Sequence, residues 1–479
     1  MQPEPFTPQQ QVFIRSYAKH LEAGNAAVFA GAGLSRAAGF VDWKDLLKDV
    51  ARDLGLDVNR ELDLVALAQF NVNYRQNRSQ LNEAIIDNFF KQAKPTSNHY
   101  LLARMPIQTI WTTNYDQLIE RAFEEAGKVV DVKLTTEDFG WQRARDVILY
   151  KMHGDVRQPQ LAVLTKDDYE SYEKDHPLFV ENLKLDLVTK TFLFLGLSFT
   201  DPNMEYILGR VRMLLGKNAH QHFAIMKDPD SSDTYGRQRL EFWKADLRRF
   251  GVETVAIKEY SEVEKLLAAV SMTVNRRNVF VAGSSREFAA DTAAPRSDSE
   301  KLGRLLGQRL IETESNLVSG FGVGIGEQCV LGALRALYSI NDDARKRVIV
   351  RPFPTALVEE QEQRARNTRT RWDLISRAGT VVFIAGNKVD SENKLRVSQG
   401  VLEEFGIAKE LQRFIIPVAV TGYAAAEIWK EVTQNPDLFY PGMDVKDHLQ
   451  RLADPALSVA DLAETVLQMV QMAAQARES

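Results

Sequence analysis

The stretch VFAGAGLSRAAGF (residues 28–40) decides the fold class of the first half of this 479-residue chain. Its apolar start is typical of a buried strand, and the glycines that follow predict a tight loop that opens a helix. Such a loop lets backbone N–H groups and the helix dipole stabilise a pyrophosphate. Arg36 stands where the usual dinucleotide fingerprint has a glycine, which disfavours an ordinary dehydrogenase. From this loop alone, a strand-to-helix turn without a ligand is the open alternative.

Similar short β-branched and aromatic runs follow, and amphipathic helical segments lie between them. In the first half these runs are residues 107–114, 147–154, 191–198 and 222–227. A second series begins near residue 275 and comprises residues 279–285, 316–324, 347–354, 380–387 and 414–422. This alternation predicts an α/β protein with mainly parallel sheets flanked by helices. We therefore expect two Rossmann-like domains, residues 1–275 and 276–479.

Composition and charge exclude several classes of protein. The 60 Lys and Arg residues against 65 Asp and Glu residues give a net charge of −5, so general nucleic-acid binding is not expected. The single cysteine, Cys329, excludes both an intramolecular disulfide and a zinc module built from cysteine pairs. No signal-like start and no apolar run of about twenty residues is visible, so we expect a cytoplasmic protein without a membrane contact.

Polar residues stand where three of the predicted strands end. They lie in TTNYD (residues 112–116), KMHGD (residues 151–155) and GLSFTDPN (residues 196–203). Because the carboxyl ends of parallel strands meet at one crevice, these residues and the first glycine loop are expected to form one ligand site.

These motifs, in this order, resemble those of the sirtuin-like NAD-consuming family over about residues 25–260. The resemblance implies NAD+ as substrate, no metal, and cleavage of the bond between nicotinamide and ribose. It implies catalytic roles for Asn114 and His153. The residues that it implies for holding the dinucleotide are Gly31, Ala32, Gly33, Ser35, Asp42, Asp116, Gly196, Ser198 and Asp201. The segment TDPN (residues 200–203) looks like the extended form found in bacterial defence members.

The implied reaction suits these residue types. Loss of neutral nicotinamide leaves positive charge at the ribose C1′ atom, and an uncharged amide such as Asn114 can position the attacking group. A histidine, with its ordinary pKa near 6.5, can accept a proton at cellular pH. Whether His153 acts on water directly or through a ribose hydroxyl stays open. Protein-deacylating sirtuins carry a zinc module with two cysteine pairs, so its absence favours water as the acceptor.

The second half contains two more strand-to-glycine loops, VFVAGSS (residues 279–285) and VSGFGVGIG (residues 318–326). Ordinary turns are one interpretation, and a nucleotide or phosphate site is the other. RARNTRTRW (residues 364–372) reads as a solvated helix face, although Arg371 beside Trp372 could bind and stack on a nucleotide.

GSS, GFGVG and GVLEE (residues 400–404) resemble loops of the SLOG family of nucleotide-sensing domains. Enzymatic relatives have a PGGxGTxxE motif, and its absence from SQGVLEEF favours sensing over hydrolysis. The effector-binding residues that this resemblance implies are Gly283, Ser284, Gly322, Arg371, Lys388, Gly400 and Glu404.

A sirtuin-like module followed by a SLOG-like module resembles the effectors of Thoeris anti-phage systems. The resemblance implies an NAD+ hydrolase that stays inactive until it binds a cyclic ADP-ribose isomer made by a partner TIR-domain protein. It also implies a homo-oligomer, with a tetramer suspected. The sequence leaves open the isomer, the oligomeric interface and two other functions: a sirtuin-type protein deacylase and a non-catalytic nucleotide-binding regulator.

Overall fold

The structure is a computed structural model that describes residues 6–140, 144–197, 208–209, 221–285, 296–353, 359–390, 392 and 394–476. The chain divides into two compact units, Met1–Ser271 and Met272–Ser479. Each unit contains a mainly parallel sheet flanked by helices, which confirms the predicted fold class. No helix among the described residues is long and apolar enough to cross a lipid bilayer.

The first unit contains a seven-stranded sheet. Its strands are β1 (Ala26–Ala30), β2 (Thr109–Thr112), β3 (Val130–Lys133), β4 (Val147–Lys151), β5 (Thr191–Leu195), β6 (His222–Lys227) and β7 (Val252–Ile257). They lie in the order β3-β4-β2-β1-β5-β6-β7, and every pairing is parallel. The chain therefore places strands on one side of β1 and then on the other. Such a reversal opens a crevice at the carboxyl ends of the strands, where ligands of this fold class bind.

The helices of the first unit precede, connect and follow these strands. They are α1 (Pro8–Glu22), α2 (Ala32–Ser35), α3 (Trp43–Leu46), α4 (Lys48–Asp53), α5 (Leu64–Arg75), α6 (Ser79–Phe89), α7 (Ser97–Arg104), α8 (Leu118–Glu125), α9 (Lys166–Asp175), α10 (Pro177–Thr189), α11 (Thr234–Arg249) and α12 (Ser261–Val274). The last helix contains the division between the units.

The type of side chain that each strand buries explains why some strands could be predicted from the sequence and others could not. All five residues of β1 are buried, as its continuous apolar run predicts for a central parallel strand. Strand β3 escapes the prediction because two of its buried side chains are charged. Asp131 and Lys133 form an ion pair of 3.1 Å between Oδ2 and Nζ. This pair makes the segment read as polar, although it lies inside the protein.

A helical cluster packs beside the sheet and holds the loop after β2. Phe89 of α6 meets the ring of Tyr115 edge-on, with 5.5 Å between ring centroids. The Tyr115 hydroxyl donates a hydrogen bond of 2.9 Å to the carbonyl of Val163. This bond links the chain after β2 to the chain that follows β4, so the two loops are fixed relative to each other.

The second unit contains a smaller sheet of the same type. Its strands are β8 (Asn278–Ser284), β9 (Asn316–Ser319), β10 (Val348–Val350), β11 (Thr380–Ala385) and β14 (Phe414–Val418), in the order β10-β9-β8-β11-β14 and with parallel pairings. An antiparallel hairpin that the sequence does not predict is formed by β12 (Asn387–Val389) and β13 (Leu395–Val397). Here the order reverses at β8, between β9 and β11.

Helices again cover this sheet. They are α13 (Arg296–Glu312), α14 (Ile325–Ile340), α15 (Ala344–Arg347), α16 (Glu360–Ser376), α17 (Gln399–Glu410), α18 (Tyr423–Gln434), α19 (Pro436–Phe439), α20 (Lys446–Arg451) and α21 (Val459–Gln475). Arg364 and Arg366 lie on α16 and pair with Glu360 and Glu362 one turn earlier. These two arginines therefore behave as a solvated helix face.

Candidate functional site

The glycine loop after β1 presses directly against the end of β5. The backbone N–H of Gly31 donates to the carbonyl of Leu195 at 2.8 Å, and that of Gly33 donates to the carbonyl of Gly196 at 3.0 Å. A Cβ on Gly31 would lie 2.5 Å from the Gly196 oxygen, and one on Gly33 would lie 2.7 Å from the Gly196 Cα. Gly196 itself has a φ of +64°. The approach of these two strand ends therefore requires glycine at all three positions.

Asn114 joins this loop from the end of β2. It is 6% exposed, and its Nδ2 donates hydrogen bonds of 3.1 Å to the Gly31 carbonyl and to the buried Ser35 hydroxyl. Its backbone N–H donates to the Thr112 hydroxyl at 3.0 Å. The buried Oδ1 atom accepts no hydrogen bond from the described residues. The amide is therefore fixed by its donor side, and its acceptor side is available to a ligand.

Asp116 lies two residues further along the same loop and is 3% exposed. Its Oδ1 accepts from the backbone N–H of Leu118, the first residue of α8, at 3.0 Å. Its buried Oδ2 has no hydrogen-bond partner among the described residues. Burial lowers the pKa of His99 to about 4, and the charge of Asp116 acts in the opposite direction. Asp116 therefore lies near a neutral histidine.

His153 follows β4 as Asn114 follows β2. The two strands are neighbours, and their register pairs Thr112 with Lys151, so Asn114 and His153 each lie two residues beyond a paired position. The His153 side chain is buried, and its ring meets Tyr169 edge-on with 5.6 Å between centroids. Its carbonyl accepts from the Val163 N–H at 2.9 Å. The two predicted catalytic residues thus lie at the same edge of adjacent strands.

The remaining predicted dinucleotide residues fall into three groups. Ala32 begins α2. Asp42 caps α3 by accepting from the Asp45 N–H at 3.0 Å, and it lies 3.6 Å from the Arg36 guanidinium. Its side chain thus contacts α3 and Arg36. Ser198 and Asp201 lie outside the described residues.

A buried ionic cluster beneath the site is not among the residues predicted from the sequence. The Lys151 ammonium contacts the carboxylates of Glu120 and Asp155 at 2.9 and 2.5 Å. The available signal was the pair of opposite charges that flank His153 in KMHGD. Strands usually bury apolar residues, so a lysine at a strand end does not by itself indicate burial.

The predicted glycines of the second unit meet at the ends of β8 and β9. Gly283 has a φ of +156°, and a Cβ there would strike the carbonyl oxygen of Ile384. A Cβ on Gly322 would lie 2.5 Å from the Gly283 oxygen. The Ser284 hydroxyl donates a hydrogen bond of 2.7 Å to the Asn387 carbonyl, next to Lys388. Lys388 is an exposed residue of the hairpin, and it pairs with Arg396 on the opposite strand.

Arg371 and Glu404 lie together on α16 and α17. The Arg371 side chain is 14% exposed, donates to Glu403 at 2.8 Å, and lies 3.8 Å from Glu404. Its guanidinium lies 5.1 Å from the centre of the Phe353 ring. Gly400 leaves room for this guanidinium, because a Cβ there would strike Nη2. Burial raises the pKa of Glu404 to about 7, while Arg371 lowers it and Glu403 raises it.

Two features bear on cofactors. Within the ranges described above, no group of three or more His, Cys, Asp or Glu side chains is arranged to hold a metal ion. The glycine contacts between β1 and β5 bring the first glycine loop to the carboxyl ends of the strands, and Asn114 Oδ1 is an open acceptor beside it. Both features suit a ligand bound in the crevice at the carboxyl ends of the strands.

Comparison with known proteins assigns both units to families. Residues 108–247 match the SIR2-like domain, and residues 262–473 match the Sir2- and TIR-associating SLOG family. The NAD(+) hydrolase ThsA of Bacillus cereus (strain MSX-D12) is 39% identical, over 97% of this chain and 98% of its own length.

Two further relatives extend this comparison. The NAD(+) hydrolase ThsA of Acinetobacter baumannii (strain 532279) is 38% identical over 92% of this chain and 94% of its own length. Defense-associated sirtuin 2 of Bacillus subtilis is 27% identical over 56% of this chain and 27% of its own length. The resemblance to sirtuin-like and SLOG proteins is thus confirmed. Both family models match this chain, and its alignments with two ThsA proteins cover more than 90% of its length at 38–39% identity. The chain therefore belongs to the ThsA family of NAD(+) hydrolases.

Proposed function

We propose that this chain hydrolyses NAD+ to ADP-ribose and nicotinamide in residues 1–275, and that residues 276–479 sense a cyclic ADP-ribose isomer that activates it. The names of its full-length relatives support the reaction. The main structural support for the site is the buried Asn114 amide. Its Nδ2 donates to the Gly31 carbonyl and the Ser35 hydroxyl, and its Oδ1 accepts no hydrogen bond from the described residues.

In the proposed reaction, the bond between the nicotinamide nitrogen and the ribose C1′ atom breaks. Nicotinamide leaves with the bonding electron pair, which neutralises its ring. A water oxygen then bonds to C1′ and releases one proton. Asn114 orients the water or a ribose hydroxyl through Oδ1, and His153 accepts the proton, directly or through that hydroxyl.

The backbone holds the dinucleotide in this proposal. The glycine loop that enters α2 at Ala32 holds the pyrophosphate. The N–H groups of Gly31 and Gly33 are bonded to the end of β5, and the missing side chains of these glycines let the loop lie against Gly196. Ser35, Asp116, Ser198 and Asp201 complete the proposed dinucleotide site. Asp42 belongs to this set through the family resemblance, and its side chain caps α3 beside Arg36.

The proposed sensor site lies at the reversal of strand order in the second unit. Gly283, Ser284 and Gly322 bring backbone close to the ligand, while Arg371 and Lys388 bind its phosphates. Glu404 accepts hydrogen bonds from its ribose hydroxyls, and Gly400 leaves room for Arg371. Activation requires that the isomer bind the active arrangement more tightly than the inactive one.

The family suggests the biological setting. A partner TIR-domain protein supplies the cyclic signal, the active enzyme is a homo-oligomer, suspected to be a tetramer, and NAD+ depletion in the cytoplasm limits phage growth. The matched name, Sir2- and TIR-associating SLOG family, supports this association.

The test is release of nicotinamide from NAD+ by the full chain, with and without each isomer of cyclic ADP-ribose. We expect His153→Ala and Asn114→Ala to lower release at least 100-fold, since general base catalysis contributes about 10²–10⁴-fold. Circular dichroism should show an intact fold. Full activity in either variant would contradict the site, and O-acyl-ADP-ribose formed from an acetylated peptide would favour a deacylase instead.

A second variant tests the sensor. Arg371→Ala should leave nicotinamide release without activator unchanged, but it should require roughly 10-fold or more activator, because a hydrogen bond to a charged group contributes about 1.5–3 kcal/mol. Activation at an unchanged isomer concentration would remove Arg371 from the sensor.

A further inference from the structure

Lys151 places a positive charge inside the first unit, directly beneath the proposed catalytic residues. Its side chain is fully buried at the end of β4. Its Nζ lies 2.6 Å from the Asp116 carbonyl oxygen, 2.9 Å from Glu120 Oε1 and 2.5 Å from Asp155 Oδ2. An ammonium group has three hydrogens, and here each has an acceptor.

The three acceptors come from different parts of the chain. Asp116 lies two residues after Asn114, and Asp155 lies two residues after His153. The third acceptor, Glu120, belongs to α8, the helix that follows the Asn114 loop. One cation therefore ties together the loops that carry the two proposed catalytic residues.

Further bonds make this connection rigid. The second oxygen of Asp155 accepts from the backbone N–H and from the Nε of Arg157, both at 2.9 Å. The Val156 N–H donates to the Tyr115 carbonyl at 2.9 Å, so the backbones of the two loops are also joined. The loop carrying His153 thus has little freedom relative to the loop carrying Asn114.

The charges persist over the physiological pH range. Burial is the largest single effect on Lys151 and lowers its pKa, but the carboxylates of Glu120 and Asp155 more than offset it, so the pKa is raised. Burial raises the pKa of Asp155, yet Lys151 and Arg157 together hold it below its ordinary value. The Lys151–Asp155 contact is therefore an ion pair at physiological pH, whereas burial raises the pKa of Glu120 above its ordinary value.

We propose that Lys151 is a positioning residue for NAD+ hydrolysis. Its ammonium fixes the position of the Asn114 loop relative to the His153 loop, so that both side chains can contact the same ribose. This role rests on the proposed function. It differs from general stabilisation because it predicts loss of the chemical step in molecules that remain folded.

The test compares Lys151→Met with the full-length wild type over a series of NAD+ concentrations. Both are measured with the cyclic ADP-ribose isomer that activates the wild type, well below the unfolding temperature. We expect kcat to fall about 100-fold, because displacement of a reacting group by about 1 Å has this effect, while KM changes less than about threefold.

Lys133→Met is the matched control. Lys133 is also a buried lysine at a strand end, paired with Asp131 at 3.1 Å and donating to the Asp138 carbonyl at 2.6 Å, but these contacts hold the edge strand β3. Its removal should lower the unfolding temperature and leave kcat within about threefold of the wild type.

Asp155→Asn keeps the shape of the side chain and removes its charge. We expect it to lower kcat by a larger factor than the factor by which KM changes. It decides the question if Lys151→Met does not fold. If the wild type releases nicotinamide and both variants keep its kcat, or if only KM rises, the positioning role is wrong. If the wild type releases none, the proposed function itself fails.

Discussion

Replacing Gly31 with alanine tests whether the contact between β1 and β5 sets the geometry of the site. The backbone of Gly31 has φ −105° and ψ −178°, which alanine adopts without strain, so the effect is steric alone. The new Cβ would lie 2.5 Å from the Gly196 oxygen. A carbon–oxygen contact needs about 3.3 Å, so the two strand ends must separate by about 0.8 Å.

This separation has two measurable consequences. Overpacking of this kind costs about 1–3 kcal/mol, which lowers the unfolding midpoint by roughly 2–10 °C for a unit of this size. The Gly31 carbonyl also anchors Asn114, so the amide shifts with it. Since a displacement of about 1 Å costs about 100-fold in rate, nicotinamide release should fall by this order.

The assay is nicotinamide release at saturating NAD+ and activator, with thermal unfolding followed by circular dichroism. Gly140→Ala is the control, because no described atom lies within 4 Å of a Cβ at that glycine of the same unit. It should keep both the rate and the midpoint. A Gly31→Ala rate within about threefold of the wild type would refute the reasoning. It would mean that a Cβ fits between the ends of β1 and β5 without displacing Asn114.

Two further predictions concern the second unit. The folded state holds the Glu404 proton up to its pKa of about 7, whereas the unfolded chain releases it near 4.3, so stability should fall by about 4 kcal/mol as pH rises between these values. Glu404→Gln should remove this slope from the unfolding midpoint, and an unchanged slope would assign it to another group. Gly406 lies inside α17, and no atom of the described residues lies within 4 Å of a Cβ there, so Gly406→Ala should stabilise this unit by about 0.5–1 kcal/mol in denaturant unfolding. Destabilisation would show a contact that the structure lacks.

Much of the fold was predictable from the sequence because central parallel strands are buried on both faces. The continuous apolar runs of β1 and β5 follow from this burial. The hairpin of β12 and β13 was not predictable, since its three-residue strands carry exposed charged residues such as Lys388 and Arg396. Periodicity cannot distinguish such short strands from a loop.

Some features of the candidate site were likewise predictable from the sequence, and others were not. The positions of Gly31, Asn114 and His153 relative to the strands were predictable, because polar residues directly after an apolar run mark the carboxyl end of a strand. The distances were not predictable: only the folded chain shows that the Asn114 amide donates to Gly31 and leaves Oδ1 open. Asp42 caps α3 through a local hydrogen bond from the Asp45 N–H, which its residue type and position before the helix are typical of.

The sequence by itself determined the α/β class, the two successive series of strands and the strand ends that carry polar groups, because these depend on local patterns of burial. Tertiary structure alone decided that Lys151 is buried among Glu120, Asp155 and the Asp116 carbonyl. The physical reason is that a buried charge is tolerated only when partners surround it, and here those partners come from residues up to 35 positions apart along the chain.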